Sequence, residues 1–92
     1  MNYFVYMLKS LGKKPVTYVG YTKDLKKRIS LHNKNKGAKF TRGRKWKIVY
    51  LKKYKSKIIA MKEEYKLKKN YKLRKELISL YKKNENFNTF TL

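Results

Sequence analysis

The only histidine in the chain, His32, stands four residues after Arg28 in the run Leu25-Lys26-Lys27-Arg28-Ile29-Ser30-Leu31-His32-Asn33. On a helix, Leu25, Arg28, Ile29 and His32 follow at spacings of three and four. A guanidinium and an imidazole therefore share or border the apolar face. Arg presents a planar fork that matches phosphate bidentately, whereas the flanking Lys26 and Lys27 are point charges. Just upstream, Tyr18-Val19-Gly20-Tyr21-Thr22 is β-rich, with a glycine that lets something approach the backbone closely. A second tyrosine, Tyr6, lies in an earlier aromatic stretch. In a basic pocket a phenol can be drawn below its usual pKa of about 10, because neighbouring cations favour the phenolate. Glu64 is the remaining candidate, in line with the apolar positions Ala60, Leu67 and Tyr71, while Glu63 points elsewhere. An acid aligned with a core stripe has a partner, because burying it alone is costly. That partner is either one of the many lysines or a metal. One His, no Cys and few carboxylates argue against zinc and its four-ligand site.

The elements that must position these groups are legible in chain order. Asn2 to Leu8 reads as a strand with Phe4, Tyr6 and Leu8 on one face and Tyr3, Val5 and Met7 on the other. Ser10 to Pro15 is a basic turn containing Gly12. Val16 to Thr22 is a second strand in an antiparallel hairpin, and Tyr6 and Tyr18 can project from one face of it. Thr22 offers an N-cap to a helix over 23–34, with Asp24 near the positive end of its dipole. Residues 35–45 form a loop with two Gly and five basic residues. It is too polar to bury, suited to gripping phosphates, and Phe40 packs on the sheet or stacks on a base. Trp46 to Tyr54 reads as a third strand, with Trp46, Ile48 and Tyr50 against Val49 and Leu51. Ser56 caps a helix over 57–70 that Asn70 ends. Leu73, Leu77, Leu80 and Tyr81 mark a last helix closing near Asn84. Residues 85–92 read as a polar, aromatic tail.

Composition sets the boundary conditions. Ninety-two residues make one domain, residues 1–84 with the tail beyond, and nine Tyr with four Phe supply much of one core. Against five acids stand 27 Lys and Arg, a formal net charge of +22. Self-repulsion of that size opposes folding unless a polyanion screens it. Nucleic acid is the expected partner, since each neutralised phosphate releases a counterion. An anionic membrane is the rival, but no stretch approaches transmembrane length and no basic amphipathic helix stands apart from the domain. The N-terminus shows no signal-peptide pattern, which points to the cytoplasm.

Taken as a set, the motifs resemble the GIY-YIG nuclease superfamily, nearest to its short single-domain members. Phe4-Val5-Tyr6 looks like the first signature tripeptide with only its final Tyr kept, and Tyr18-Val19-Gly20 closely matches the second. Arg28 and His32-Asn33 fall where the family carries its catalytic Arg and a frequent His. Lys36-Gly37-Ala38-Lys39-Phe40-Thr41-Arg42 looks like the loop of the small members. Ala60-Met61-Lys62-Glu63-Glu64, with Lys68 following, looks like the helix that supplies the metal-binding Glu. The likeness spans about residues 3 to 70. It departs at Phe4, where the name has Gly, and at Lys45-Trp46, where small members often have Pro.

The resemblance implies an α+β fold, a three-stranded antiparallel sheet flanked by helices in the order ββαβαα. It also implies metal-dependent phosphodiester hydrolysis, with Glu64 holding a single Mg²⁺ or Mn²⁺ and Arg28 stabilising charge on the phosphate. One of Tyr6 and Tyr18 acts as general base while the other orients phosphate or water, and His32 bonds within that cluster. Gly20, Lys39, Thr41, Arg42, Arg44 and Lys68 are the expected nucleic-acid contacts. Few acids suit a one-carboxylate site. The expected function is a DNA endonuclease, DNA being preferred to RNA as partner, with weak sequence preference. Branched, nicked or damaged DNA in repair or recombination is the expected target, with targeting expected from a protein partner. The alternative is a non-catalytic basic clamp on DNA or on ribosomal RNA.

Overall fold

The computed structural model describes residues 2–34 and 41–83. Lys36, Lys39 and Phe40 of the basic loop and the tail 85–92 lie outside the described residues. The chain forms β1 (Tyr3–Ser10), β2 (Thr17–Thr22), α1 (Leu25–Asn33), β3 (Trp46–Tyr54), α2 (Lys57–Lys69) and α3 (Tyr71–Lys83). The strands make one antiparallel sheet in the order β2-β1-β3. This is the expected α+β architecture.

Central β1 is buried on both faces, which is why it reads as a nearly unbroken aromatic and aliphatic run. On one face Val5 and Met7 pack with Val19, Val49, Ala60 and Leu67, under α2 and α3. On the other Tyr6 and Leu8 pack with Ile29, Trp46 and Ile48, under α1. The two clusters confirm the alternation expected for this strand. The sheet is thus a partition: Arg28 and His32 approach it from one side, Glu64 from the other.

A bulge changes the third strand. Leu8 pairs with Ile48 but Met7 pairs with Tyr50, leaving Val49 as an extra residue. An extra residue reverses the alternation beyond it. Tyr50 therefore joins Val49 on the α2–α3 side rather than Trp46 and Ile48, as expected from strict alternation.

The helix ends follow local chemistry. Asp24, not Thr22, caps α1, its carboxylate accepting from the Lys27 N–H at 3.2 Å. Thr22 Oγ1 accepts from the Asp24 N–H at 3.1 Å and so turns the chain into that cap. Ser56 caps α2 as expected, accepting from the Ile59 N–H at 3.3 Å. Asn70 closes α2 and, through its side-chain oxygen, accepts from the Leu73 N–H to open α3. Restarting the helix there turns Tyr71 outward, 64% exposed, so it leaves the apolar stripe to which its spacing had assigned it. The third helix docks through Leu77, Ile78 and Tyr81, while Leu80 is 53% exposed. Gly12 turns the β1–β2 connection at φ +116°, a left-handed geometry that disfavours side chains. None of the described helices is long and apolar enough to cross a membrane.

Candidate active site at the β2 edge

Tyr6 pairs across the sheet with Gly20. A Cβ at position 20 would stand 2.6 Å from the Tyr6 hydroxyl and 2.7 Å from its Cζ. The glycine is needed because the Tyr6 ring folds over it. Gly20 is itself buried, so the close approach inferred from the sequence is made by this tyrosine and not by a nucleic acid.

Three rings converge there. The centroids of Tyr18 and His32 lie 5.0 Å apart, those of Tyr6 and His32 5.9 Å, and those of Tyr6 and Tyr18 6.4 Å. Tyr6 and His32 are wholly buried, while Tyr18 is half-buried. The Tyr6 hydroxyl is 2.9 Å from His32 Nε2, and His32 Nδ1 is 2.8 Å from Thr41 Oγ1. Burial, reinforced by the Arg28 charge, lowers the His32 pKa to about 4, so the ring is neutral near pH 7. The Arg28 guanidinium stands close enough to the Tyr6 hydroxyl for each to act on the other's titration. The neutral ring donates through one nitrogen and accepts through the other, and so bridges the Tyr6 and Thr41 hydroxyls.

Thr41 is held in turn, its carbonyl accepting from Trp46 Nε1 at 2.9 Å. Asn33 clamps the same tryptophan, accepting from the Trp46 N–H at 2.8 Å. Thr41 is fully buried, so this part of the polar loop enters the core. Its hydroxyl serves the imidazole, which corrects its expected role as a phosphate contact. Arg42 and Arg44 are exposed, and Arg44 Nη1 donates to the Lys14 carbonyl at 3.5 Å.

Burial is the main cause that pushes the Tyr6 pKa up to about 12. The Arg28 hydrogen bond opposes that rise, while Tyr18 and Glu64 add to it. Arg28 is raised further, chiefly by its bond to Tyr6, and it also bonds Tyr18. Arg28 Nε is buried with no partner among the described residues. Glu64 approaches from α2. Its side chain is 16% exposed and accepts Lys68 Nζ at 3.3 Å. Lys68 lines a cavity of about 250 Å³ with Thr17, Tyr18, Val19 and Arg74. Beyond the other end of β2, Arg28 lines a second cavity of about 400 Å³ with Tyr3, Tyr21, Thr22, Lys23 and Lys57.

The structure thus brings Tyr6, Tyr18, Arg28 and His32 into contact at the edge strand. It sets Glu64 close enough for its charge to act on Tyr6. Reading the sequence did not single out Arg74 and Lys57, which line these cavities, from the other basic residues of the last two helices. Arg74 carried one signal, being one of only four arginines among 27 basic residues. Lys57 carried none. Among the described residues no three His, Cys, Asp or Glu side chains cluster, so a cation here has one carboxylate to meet it.

The fold, the paired tyrosines and the Arg–His helix define a nuclease-type domain, and the family model of the GIY-YIG catalytic domain matches residues 2–86. The chain belongs to that family. Its relatives include UPF0213 protein YazA of Bacillus subtilis, 39% identical over 90% of this chain and 83% of the relative. UPF0213 protein CPE1444 of Clostridium perfringens is 47% identical over 75% of this chain and 72% of the relative. The solution NMR structure of UPF0213 protein BH0048 from Bacillus halodurans has a TM-score of 0.51 and 43% identity, covering 87% and 85% of the two chains. The domain implies nucleic-acid binding, and nucleases of this family generally use divalent metal ions.

Proposed function

We propose that this protein is a metal-dependent endonuclease that hydrolyses DNA phosphodiester bonds. It would act on branched, nicked or damaged DNA, as in repair or recombination, with weak sequence preference. The observation that supports the reading is the Tyr6–Tyr18–His32 cluster with Arg28 at one edge strand, with Glu64 on α2 near enough for its charge to act on Tyr6. An i,i+4 ion pair on a helix is worth only about 0.2–0.5 kcal/mol. That is a poor reason to hold a carboxylate mostly out of water beside a tyrosine cluster. Its ion pair with Lys68 is the observation that favours the second reading, a basic clamp without catalysis.

The donor set fits a single Mg²⁺ or Mn²⁺. A small hard cation that keeps several waters needs one or two carboxylates plus substrate oxygens, and Glu64 is such a carboxylate. When bound, the ion supplies Lewis-acid stabilisation of charge on the phosphate. The rest is done by the chain. Arg28, standing beside Tyr6 and Tyr18, would present its guanidinium to the phosphate. Tyr18 is the tyrosine that substrate can reach, so its oxygen, once it has given up its own proton, would be the base for the attacking water. Tyr6 is sealed and holds its proton up to about pH 12, so it positions Arg28 and His32 instead. Exposed Arg42, Arg44 and Lys68, with Lys39, would bind backbone phosphates without reading bases. Affinity should therefore fall steeply with salt.

The test is nicking of supercoiled plasmid and cleavage of a branched synthetic DNA, with Mg²⁺ or Mn²⁺ and with chelator, in wild type and Glu64→Ala. Metal-dependent cleavage lost in the variant, with DNA binding retained, is the expected result. Binding by both proteins without cleavage of either DNA would favour the clamp.

A further inference from the structure

Arg74 faces the last turn of α2. Its Nη1 donates to the Leu67 carbonyl at 2.8 Å and to the Lys68 carbonyl, which closes that helix. Lysine or arginine can serve a helix C-terminus in this way. A guanidinium, however, carries five N–H donors in a fixed fork. The Nε and Nη2 groups of Arg74 have no hydrogen-bond partner among the described residues. They belong to a side chain that walls the 250 Å³ cavity together with Lys68 and the β2 residues Thr17, Tyr18 and Val19. No acidic residue lines this cavity, and two of its five lining residues are cations.

The cavity also lies in the right place along the site. Tyr18 lines it and contacts Arg28. At the far end of the same strand, Thr22 lines the cavity to which Arg28 belongs.

We propose that Arg74 and Lys68, with Thr17, form a second phosphate subsite that grips the substrate backbone beside the phosphate being cut. The ligand is a phosphodiester of the same strand, so the proposal rests on the nucleic-acid reading above. Arg74 is a binding residue here, with α2 closure as its structural duty.

The experiment is fluorescence anisotropy of a short labelled duplex in chelator, over a series of KCl concentrations, with wild type, Arg74→Gln and Arg74→Lys. Loss of one phosphate contact should flatten the plot of log K against log salt by about 0.9 and weaken binding about eightfold near 0.1 M salt. Arg74→Lys should keep most of the slope while losing affinity. Unchanged slope and affinity in a folded Arg74→Gln protein would overturn the subsite and leave Arg74 as a helix cap. If that variant does not fold, NMR of the wild type titrated with inorganic phosphate decides. The Arg74 Nε–H and the amides of Thr17 to Val19 should shift together and saturate, and no shift would overturn the proposal. The two readings fail separately. A flattened slope in a protein that cleaves nothing removes the nuclease and keeps the subsite, whereas cleavage with an unchanged slope does the reverse.

Discussion

Lowering the pH should destabilise this protein through its single histidine. In the fold His32 is wholly buried, and its pKa falls from an ordinary 6.5 to about 4 because burial, and then the Arg28 charge, disfavour the imidazolium. Between those values the unfolded chain binds a proton that the folded chain refuses. Stability is therefore fully present above pH 6.5 and is lost as pH falls through the folded value, with no further loss from this group below it. A span of about 2.5 pKa units at 1.36 kcal/mol each is about 3 kcal/mol, a large share of the roughly 5–15 kcal/mol that holds most domains together. Urea unfolding of wild type and His32→Gln at several pH values isolates the effect, because the variant lacks the group while keeping the acids. The stability difference between the two should shrink by about 3 kcal/mol from pH 7 to 4. With one His in the chain, its Cε1–H resonance reports the titration directly. A midpoint near 6.5, or a difference that does not vary with pH, would refute the buried Tyr6–His32–Thr41 chain.

Two further substitutions test how the site is held. Gly20→Ala should cost about 1–3 kcal/mol by overpacking, because its methyl would collide with the Tyr6 ring, and a thermal melt reads the loss directly. Tyr6→Phe should lower stability by about 1–3 kcal/mol by leaving His32 Nε2 unpaired in the core. Tyr18→Phe should leave the melting temperature nearly unchanged while abolishing cleavage. Equal melting losses in the two tyrosine variants would undo their division into a sealed and a reachable residue.

Much of this protein was settled by local sequence. The order ββαβαα, the limits of β3, and Ser56 and Asn70 at the ends of α2 follow from periodicity and capping. Both depend on neighbours a few residues away. The candidate site was legible as a set of residue types because an Arg–His helix after a Tyr-x-Gly strand keeps its spacing whatever packs against it. Tertiary structure decided what each group touches. The bulge at Val49 turned Tyr50 to the other face, because register is fixed only between paired strands. Thr41 became a buried partner of the imidazole rather than a phosphate contact, through a bond spanning nine residues. Gly20 gave way to a tyrosine on the neighbouring strand. Which tyrosine is sealed, and that Arg74 returns to the end of α2, likewise depend on contacts between elements. Short-range propensity carries no information about such contacts, and only the packed fold supplies it.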